Sequence, residues 1–379
     1  MKLVGYAYPW DVPTPGFVER AQGLGVDEVA VAVAYHSARA ATPWSPDGTS
    51  VIARHAAFYR PVRAEAWDGA VLRPAPPDWV PGPDSAGHAV RTLTAAGIPA
   101  AAWIVLTHNS LLGGRSPELA VRNCFDEVYP WALCPAQDAV RTYAAVLTAE
   151  SLRDLEFSSV ILEACGPLGA VHQHQHEKTD GVWSPAVARL LSICCCAACA
   201  AGWRAAGQDP DRVRAALRAE VRRLIVDLDT TVDELPGELS DVLLTTRQQA
   251  VDALRAAVLE RIGRGPRVVL HGALDPWVTG ALPGLTPRAA DDVDAVVLQN
   301  WAPGRVSIDA VAAARAQLPE RVAVGSYVTA VAANPVPDMG AYVTDLAKAG
   351  AAELHLYHLG LAGPARWPDL QAAATAAHE

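Results

Sequence analysis

The chain has 379 residues, of which 51% are hydrophobic and 19% charged; that balance excludes a disordered protein and supplies a large buried core. Its formal net charge of −10 excludes wholesale binding of nucleic acid, which needs clustered Lys and Arg against phosphates. No apolar run has the length of about 18 residues that a membrane span needs.

Strand and helix patterns alternate from the start. The opening MKLVGYAYPW lacks a long apolar segment and a small-residue cleavage site, so it reads as a first strand, and a cytoplasmic protein is expected. The seven cysteines are then expected as thiols or metal ligands, not as a disulfide framework. Eight strands are predicted: KLVGYAY (2–8), DEVAVAVAY (27–35), PAAAWIVLT (99–107), SSVILEA (158–164), RVVLHG (267–272), AVVLQN (295–300), RVAVGSY (321–327) and ELHLYH (353–358). Most are continuous apolar runs, as parallel strands buried on both faces require. Helical stretches lie between most of them, among them 14–25, 138–155 and 308–318. The expectation is an α/β fold, a single (β/α)₈ TIM barrel over 1–379. Such a barrel needs roughly 250 residues, so insertions are placed at about 36–90, a loop or hairpin after strand two, and at about 165–265, a helical segment after strand four. The Arg-rich stretch 203–223 reads as the solvated face of a helix.

Active sites of such barrels lie at the carboxyl ends of the strands. Strand one delivers Tyr6, Tyr8 and Trp10 there, and strand two Tyr35, His36 and Arg39. Strand three brings His108 and Asn109, and strand four brings Glu163. His271 ends strand five, followed by Asp275 and Trp277; Asn300 and Trp301 follow strand six. Ser326 and Tyr327 close strand seven, and Tyr357 and His358 close strand eight. Aromatic faces stack on sugar C–H surfaces while imidazole, amide and guanidinium groups bond hydroxyls, so the ring suits a polar small molecule.

Glu163 follows three aliphatic positions in VILE, where a charge is costly unless it is paired or functional. Glycoside cleavage needs two carboxyl groups; Asp275 is the first choice of partner, with Glu177 and Asp180 next. His172, His174 and His176 alternate in HQHQHEK. They suit either zinc binding or hydroxyl recognition and proton transfer, and a solvated loop is the bland alternative. Cys194, Cys196 and Cys199 in LLSICCCAAC suit a metal site, with Cys165 or a histidine as fourth ligand. The same stretch also reads as an apolar helix in which cysteine simply packs.

The segment NSLLGGRSPELAVRNCFDEVYPWALCPAQDAVRTYAAVL (109–147), followed by SSVILEA, resembles glycoside-hydrolase-like barrels of actinobacteria, often labelled alanine-rich proteins. Cys134-Pro135, Arg141 and Tyr143 match the middle segment of that pattern, and Glu163 matches its strand-four acid. HQHQHEK and LLSICCCAAC match the segments beyond that acid. The resemblance covers roughly 30–300. It implies a barrel and a carbohydrate ligand, and leaves the reaction open. Two departures matter: Leu162, not Asn, precedes Glu163, and strand seven ends in Ser326-Tyr327 without an acid. The usual two-glutamate arrangement of retaining barrels is therefore not expected.

The leading expectation is a glycoside hydrolase acting on a small glycoside or oligosaccharide, with no cofactor required. The competing ones are a zinc-dependent hydrolase, isomerase or epimerase built on the histidine loop, and a non-catalytic carbohydrate-binding barrel.

Overall fold

The structure, a computed structural model, describes residues 1–171, 178–179, 181–332 and 334–379. Eight parallel strands form a closed barrel: β1 (Lys2–Ala7), β2 (Glu28–Tyr35), β3 (Ala100–Val105), β4 (Ser159–Glu163), β5 (Arg267–His271), β6 (Ala295–Gln299), β7 (Ala323–Thr329) and β8 (Glu353–Tyr357). Each pairs in parallel with its sequence neighbours, and β1 closes the ring against both β2 and β8. All eight predicted strands are present. Helices Phe17–Leu24, Asp138–Leu152 and Arg305–Gln317 occupy the predicted helical stretches. Among the described residues, no helix is long and apolar enough to cross a membrane.

The insertion after β2 is a hairpin, Ala38–Ala41 with Ser50–Ala53, and then a short strand, Ala57–Phe58, antiparallel to β2. The segment after β4 holds helices Pro185–Leu191, Ala197–Ala205 and Pro210–Leu224, and then the long crossover helix Gly237–Ile262, which packs on Asp138–Leu152. Residues 192–196 are not helical, so the expected continuous helix over LLSICCCAAC is broken. Ser184 and Asp209 cap the helices that start at Pro185 and Pro210, where proline's fixed φ and missing N–H cost nothing. Leu190, Trp203, Leu217, Val221 and Leu243 form a second core beside the barrel.

Two-residue alternation decides what fills the barrel. Side chains along a strand point to opposite faces, so Leu354 and Leu356 go to one face of β8, and Glu353, His355 and Tyr357 to the other. On β5 the second set is Arg267, Val269 and His271. Layers of Val, Ile and Leu are usual inside such barrels. Here Tyr6, Trp103, His271, Tyr327 and His355 pack on one another, with ring centroids 4.8–5.9 Å apart in the contacts of Tyr6. Gly325 makes room for them: a Cβ there would lie 2.9 Å from Val297 Cγ2 and 3.1 Å from the His355 ring.

Candidate active site

Glu163 is the last residue of β4 and is 4% exposed. Trp103 Nε1 donates a 2.8 Å hydrogen bond to its Oε2. His271 Nδ1 stands 3.4 Å from the same oxygen, longer than a good hydrogen bond, and it has no other partner. Directly after Glu163, Ala164 takes a left-handed backbone with φ 50°, a conformation that costs an L-residue about 1–2 kcal/mol. Ala164 N–H donates to Ala281, and Thr107 Oγ1 donates to Ala164 O and Gly166 O. The strand thus ends sharply and its carboxylate is fixed in direction.

Behind Glu163 a chain of buried polar groups runs down the barrel. Tyr6 Oη lies 2.9 Å from His271 Nε2 and 3.0 Å from His355 Nδ1. His355 Nε2 lies 3.2 Å from Glu353 Oε2, and Arg267 donates to the other Glu353 oxygen. Burial would raise the Glu353 carboxyl, but the His355 hydrogen bond and the Arg267 charge overcome it and hold it at about 2. Burial lowers His355, so that imidazole is neutral. The polarity follows. An ionised Glu353 accepts from His355 Nε2–H, which leaves His355 Nδ1 as acceptor for the Tyr6 hydroxyl. Tyr6 oxygen then accepts from His271 Nε2–H, and His271 Nδ1 presents a lone pair to Glu163. At 3.4 Å this lone pair and the Glu163 oxygen face each other as two acceptors that a proton on either group would join.

Aromatic groups surround the carboxylate on the mouth side. Tyr8 stacks on Trp10 at 4.6 Å and on the His358 ring at 4.3 Å, and its hydroxyl lies 3.2 Å from Tyr357 Oη and 3.5 Å from Tyr35 Oη. Tyr35, His36 and His108 stack in series at 4.1 and 4.4 Å. Trp301 packs on Tyr357 and Tyr327. The Glu163 charge raises the Tyr6, Tyr35, Tyr327 and Tyr357 hydroxyls, in each case behind the larger effect of burial. Trp10 Nε1, Trp301 Nε1 and His358 Nε2 are buried without hydrogen-bond partners. Orphaned polar atoms in such number are uncommon in a finished core and are what a polar ligand satisfies. Asn300 instead points to the outer helices, where its amide donates to Ser307 O, and Ser326 lies on the outer face of β7, in register with Leu354.

Several expected site residues do other work. Asn109 caps helix Ser110–Arg115 by accepting from Leu112 N–H, and its amide donates to Tyr143. Arg39 is exposed on the hairpin after β2. Asp275 is exposed, accepts from Trp277 N–H, and acts electrostatically on Arg189 and Arg247. Trp277 carries those guanidinium groups over its ring at 5.0 and 5.6 Å and lines a cavity of about 260 Å³ against Cys134, Cys194 and Cys199. Asp275 and Trp277 are displaced because the loop after β5 is pinned by Arg247, which donates to Trp277 O and Val278 O. His271 is fully buried behind Glu163 and bonds Tyr6. His172, His174, His176, Glu177 and Asp180 lie outside the described residues.

Sequence reasoning passed over Trp103, His355, Glu353 and Arg267. The signal was present: each interrupts an apolar strand at the period-two positions that also carry Glu163, His271 and Tyr357. Asp11 was also missed. It is 3% exposed, accepts from Tyr8 N–H at 2.8 Å and lies 3.7 Å from His358 Nδ1. Burial pushes its carboxyl up to about 7.

No protein-family model matches the sequence, and no curated protein matches it. Among solved structures the chain is similar to alpha-L-fucosidase isoenzyme 2 from Paenibacillus thiaminolyticus, at 12% identity and a TM-score of 0.60, over 99% of this chain and 49% of that one. It is similar to the PgaB (BpsB) glycoside hydrolase domain from Bordetella bronchiseptica at 15% identity and 0.59, over 98% of both chains. The catalytic domain of beta-amylase from Paenibacillus polymyxa follows at 11% and 0.55, over 99% of this chain and 97% of that one. The chain thus spans about half the length of the fucosidase. These likenesses give it a glycoside-hydrolase-like barrel fold.

Proposed function

We propose that the protein is a glycoside hydrolase acting on a small glycoside or oligosaccharide, with Glu163 as the residue that gives a proton to the leaving oxygen. The observation that carries this reading is the Glu163–His271 contact, where the polarity of the relay calls for a single shared proton. A carboxyl group that holds a proton at the carboxyl end of a barrel strand is what protonation of a glycosidic oxygen requires. Trp103 N–H then stabilises the carboxylate left after the transfer. The relay through His271, Tyr6 and His355 supplies hydrogen bonds that can reverse direction as the proton leaves. Tyr8, Tyr35, Tyr357, Trp10 and Trp301 offer stacking faces, and His358 Nε2 and the indole N–H groups of Trp10 and Trp301 offer unpaired polar atoms to hydroxyls. With Asp275 held beside Arg189 and Arg247, the second carboxyl group, which attacks the anomeric carbon or activates water, falls to the next candidates, Glu177 or Asp180, outside the described residues.

The test is turnover of a panel of aryl glycosides by the wild-type protein and by Glu163→Gln. Loss of general acid catalysis costs about a hundredfold or more, and the variant should keep its circular dichroism spectrum. A Glu163→Gln variant with wild-type turnover refutes the assignment. A wild-type protein that binds sugars but converts none of them refutes the enzymatic reading.

A further inference from the structure

Four cysteines come together outside the barrel. Cys134 follows the strand Val128–Leu133 in the excursion after β3. Cys194 and Cys196 sit in the break between helices Pro185–Leu191 and Ala197–Ala205, and Cys199 lies in the first turn of the second helix. The sulfurs of Cys134, Cys194, Cys196 and Cys199 all lie within 4.8 Å of one another. Cys134 Sγ is 3.6 Å from Cys199 Sγ and 3.7 Å from Cys196 Sγ.

We propose that these four thiolates bind one zinc ion, and that the ion ties the excursion after β3 to the helical insertion after β4. The distances select the ligand. Zinc–thiolate bonds of about 2.3 Å in a tetrahedron put sulfurs about 3.8 Å apart, close to the separations found here. A disulfide needs sulfurs at about 2.05 Å, so the four are not arranged as two bridges. A cluster of two or more irons with bridging sulfides needs a wider cage than one metal does. The surroundings suit a site of net negative charge. The Cys199 backbone N–H bonds Cys196 Sγ, and Gln137 Nε2 donates to the same sulfur at 3.5 Å. The partly buried Arg247 guanidinium also interacts electrostatically with Cys199 and Cys194. Such outer contacts orient metal ligands.

The break in LLSICCCAAC is what makes the site. In one continuous helix, Cys194 and Cys196 would point to different faces. With residues 192–196 in a turn, both sulfurs swing toward Cys134, and Cys195 turns away into the second core. The fourth ligand is therefore Cys134, not Cys165 or a histidine; Cys165 is buried in the barrel core. A site with four protein ligands has no open position for substrate, so the ion is structural. The proposal stands apart from the reading of Glu163.

The experiment is elemental mass spectrometry of untagged wild-type protein, with Cys199→Ser and Cys165→Ser prepared alongside. About one zinc per chain is expected in the wild type and in Cys165→Ser, with most of it lost in Cys199→Ser. Because Cys199→Ser could fail to fold, cobalt(II) is also titrated into chelator-stripped wild-type protein. Intense visible bands of tetrahedral thiolate cobalt, bleached by one equivalent of zinc, support the site. Metal-free wild-type protein that takes up neither ion under reducing conditions overturns the proposal. So does iron in place of zinc in the isolated protein, or full zinc retention in Cys199→Ser.

Discussion

Replacing Tyr6 by Phe removes one oxygen atom from the centre of the relay and little else. That hydroxyl holds two hydrogen bonds, at 2.9 and 3.0 Å, in complete burial. Its loss strands His271 Nε2–H and His355 Nδ1, and each unsatisfied buried group costs about 1–3 kcal/mol. The hydroxyl's own desolvation, about 1–3 kcal/mol in mutational data, is recovered. Taking central values, the net is a destabilisation of about 2 kcal/mol, which a protein with the usual 5–15 kcal/mol survives. Tyr59→Phe is the matched control. Tyr59 Oη is buried, and its contact with Trp79 Nε1 is at most a weak hydrogen bond. Removing that hydroxyl should leave stability unchanged or raise it by about 1 kcal/mol. Urea unfolding followed by tryptophan fluorescence compares the two. Selective ¹⁵N-histidine labelling adds a direct reading, with His355 and His271 both carrying hydrogen on Nε2. Equal stability changes in the two variants, or an Nδ1–H tautomer at His355, would refute the derived polarity.

Asp11 gives a pH prediction with a defined sign. Its folded carboxyl is raised from 3.8 to about 7, so between those values the folded state holds a proton that the unfolded chain has lost. Stability from this group is full below about pH 4 and falls as pH rises toward 7, by on the order of 4 kcal/mol for about three units. Asp11→Asn keeps an acceptor for Tyr8 N–H and should flatten that slope in denaturant melts from pH 4 to 8; an unchanged slope counts against it. Gly113→Ala places a Cβ 2.0 Å from Pro130 O. Neither backbone can yield cheaply, so a loss of more than about 2 kcal/mol is expected, and a melting temperature equal to wild type would show that the strand Val128–Leu133 gives way.

The barrel was legible because its causes are local. Continuous runs such as VAVAVAY and AAAWIV can only be strands buried on both faces, and the helices between them fix parallel pairing. Glu163 was legible for the same reason: a carboxylate that ends an apolar run stands out against its neighbours. Period-two alternation also carried Glu353, His355 and Tyr357 to one face of β8, although the strand read as simply apolar. Partners across the barrel were beyond the sequence. Nothing in the chain ties Tyr6 to His271 and His355, 265 and 349 residues away; closure of the ring does that. Asp275 illustrates the converse. It follows a barrel strand as a catalytic acid would, and Arg247, on a helix of the insertion, draws its loop to the cysteine side. The sequence by itself determined the eight strands and their order, since periodicity and burial act over a few residues. The tertiary structure alone decided which polar groups face Glu163 and that Cys134 joins Cys194, Cys196 and Cys199. Those pairings depend on distances between segments that only packing brings together.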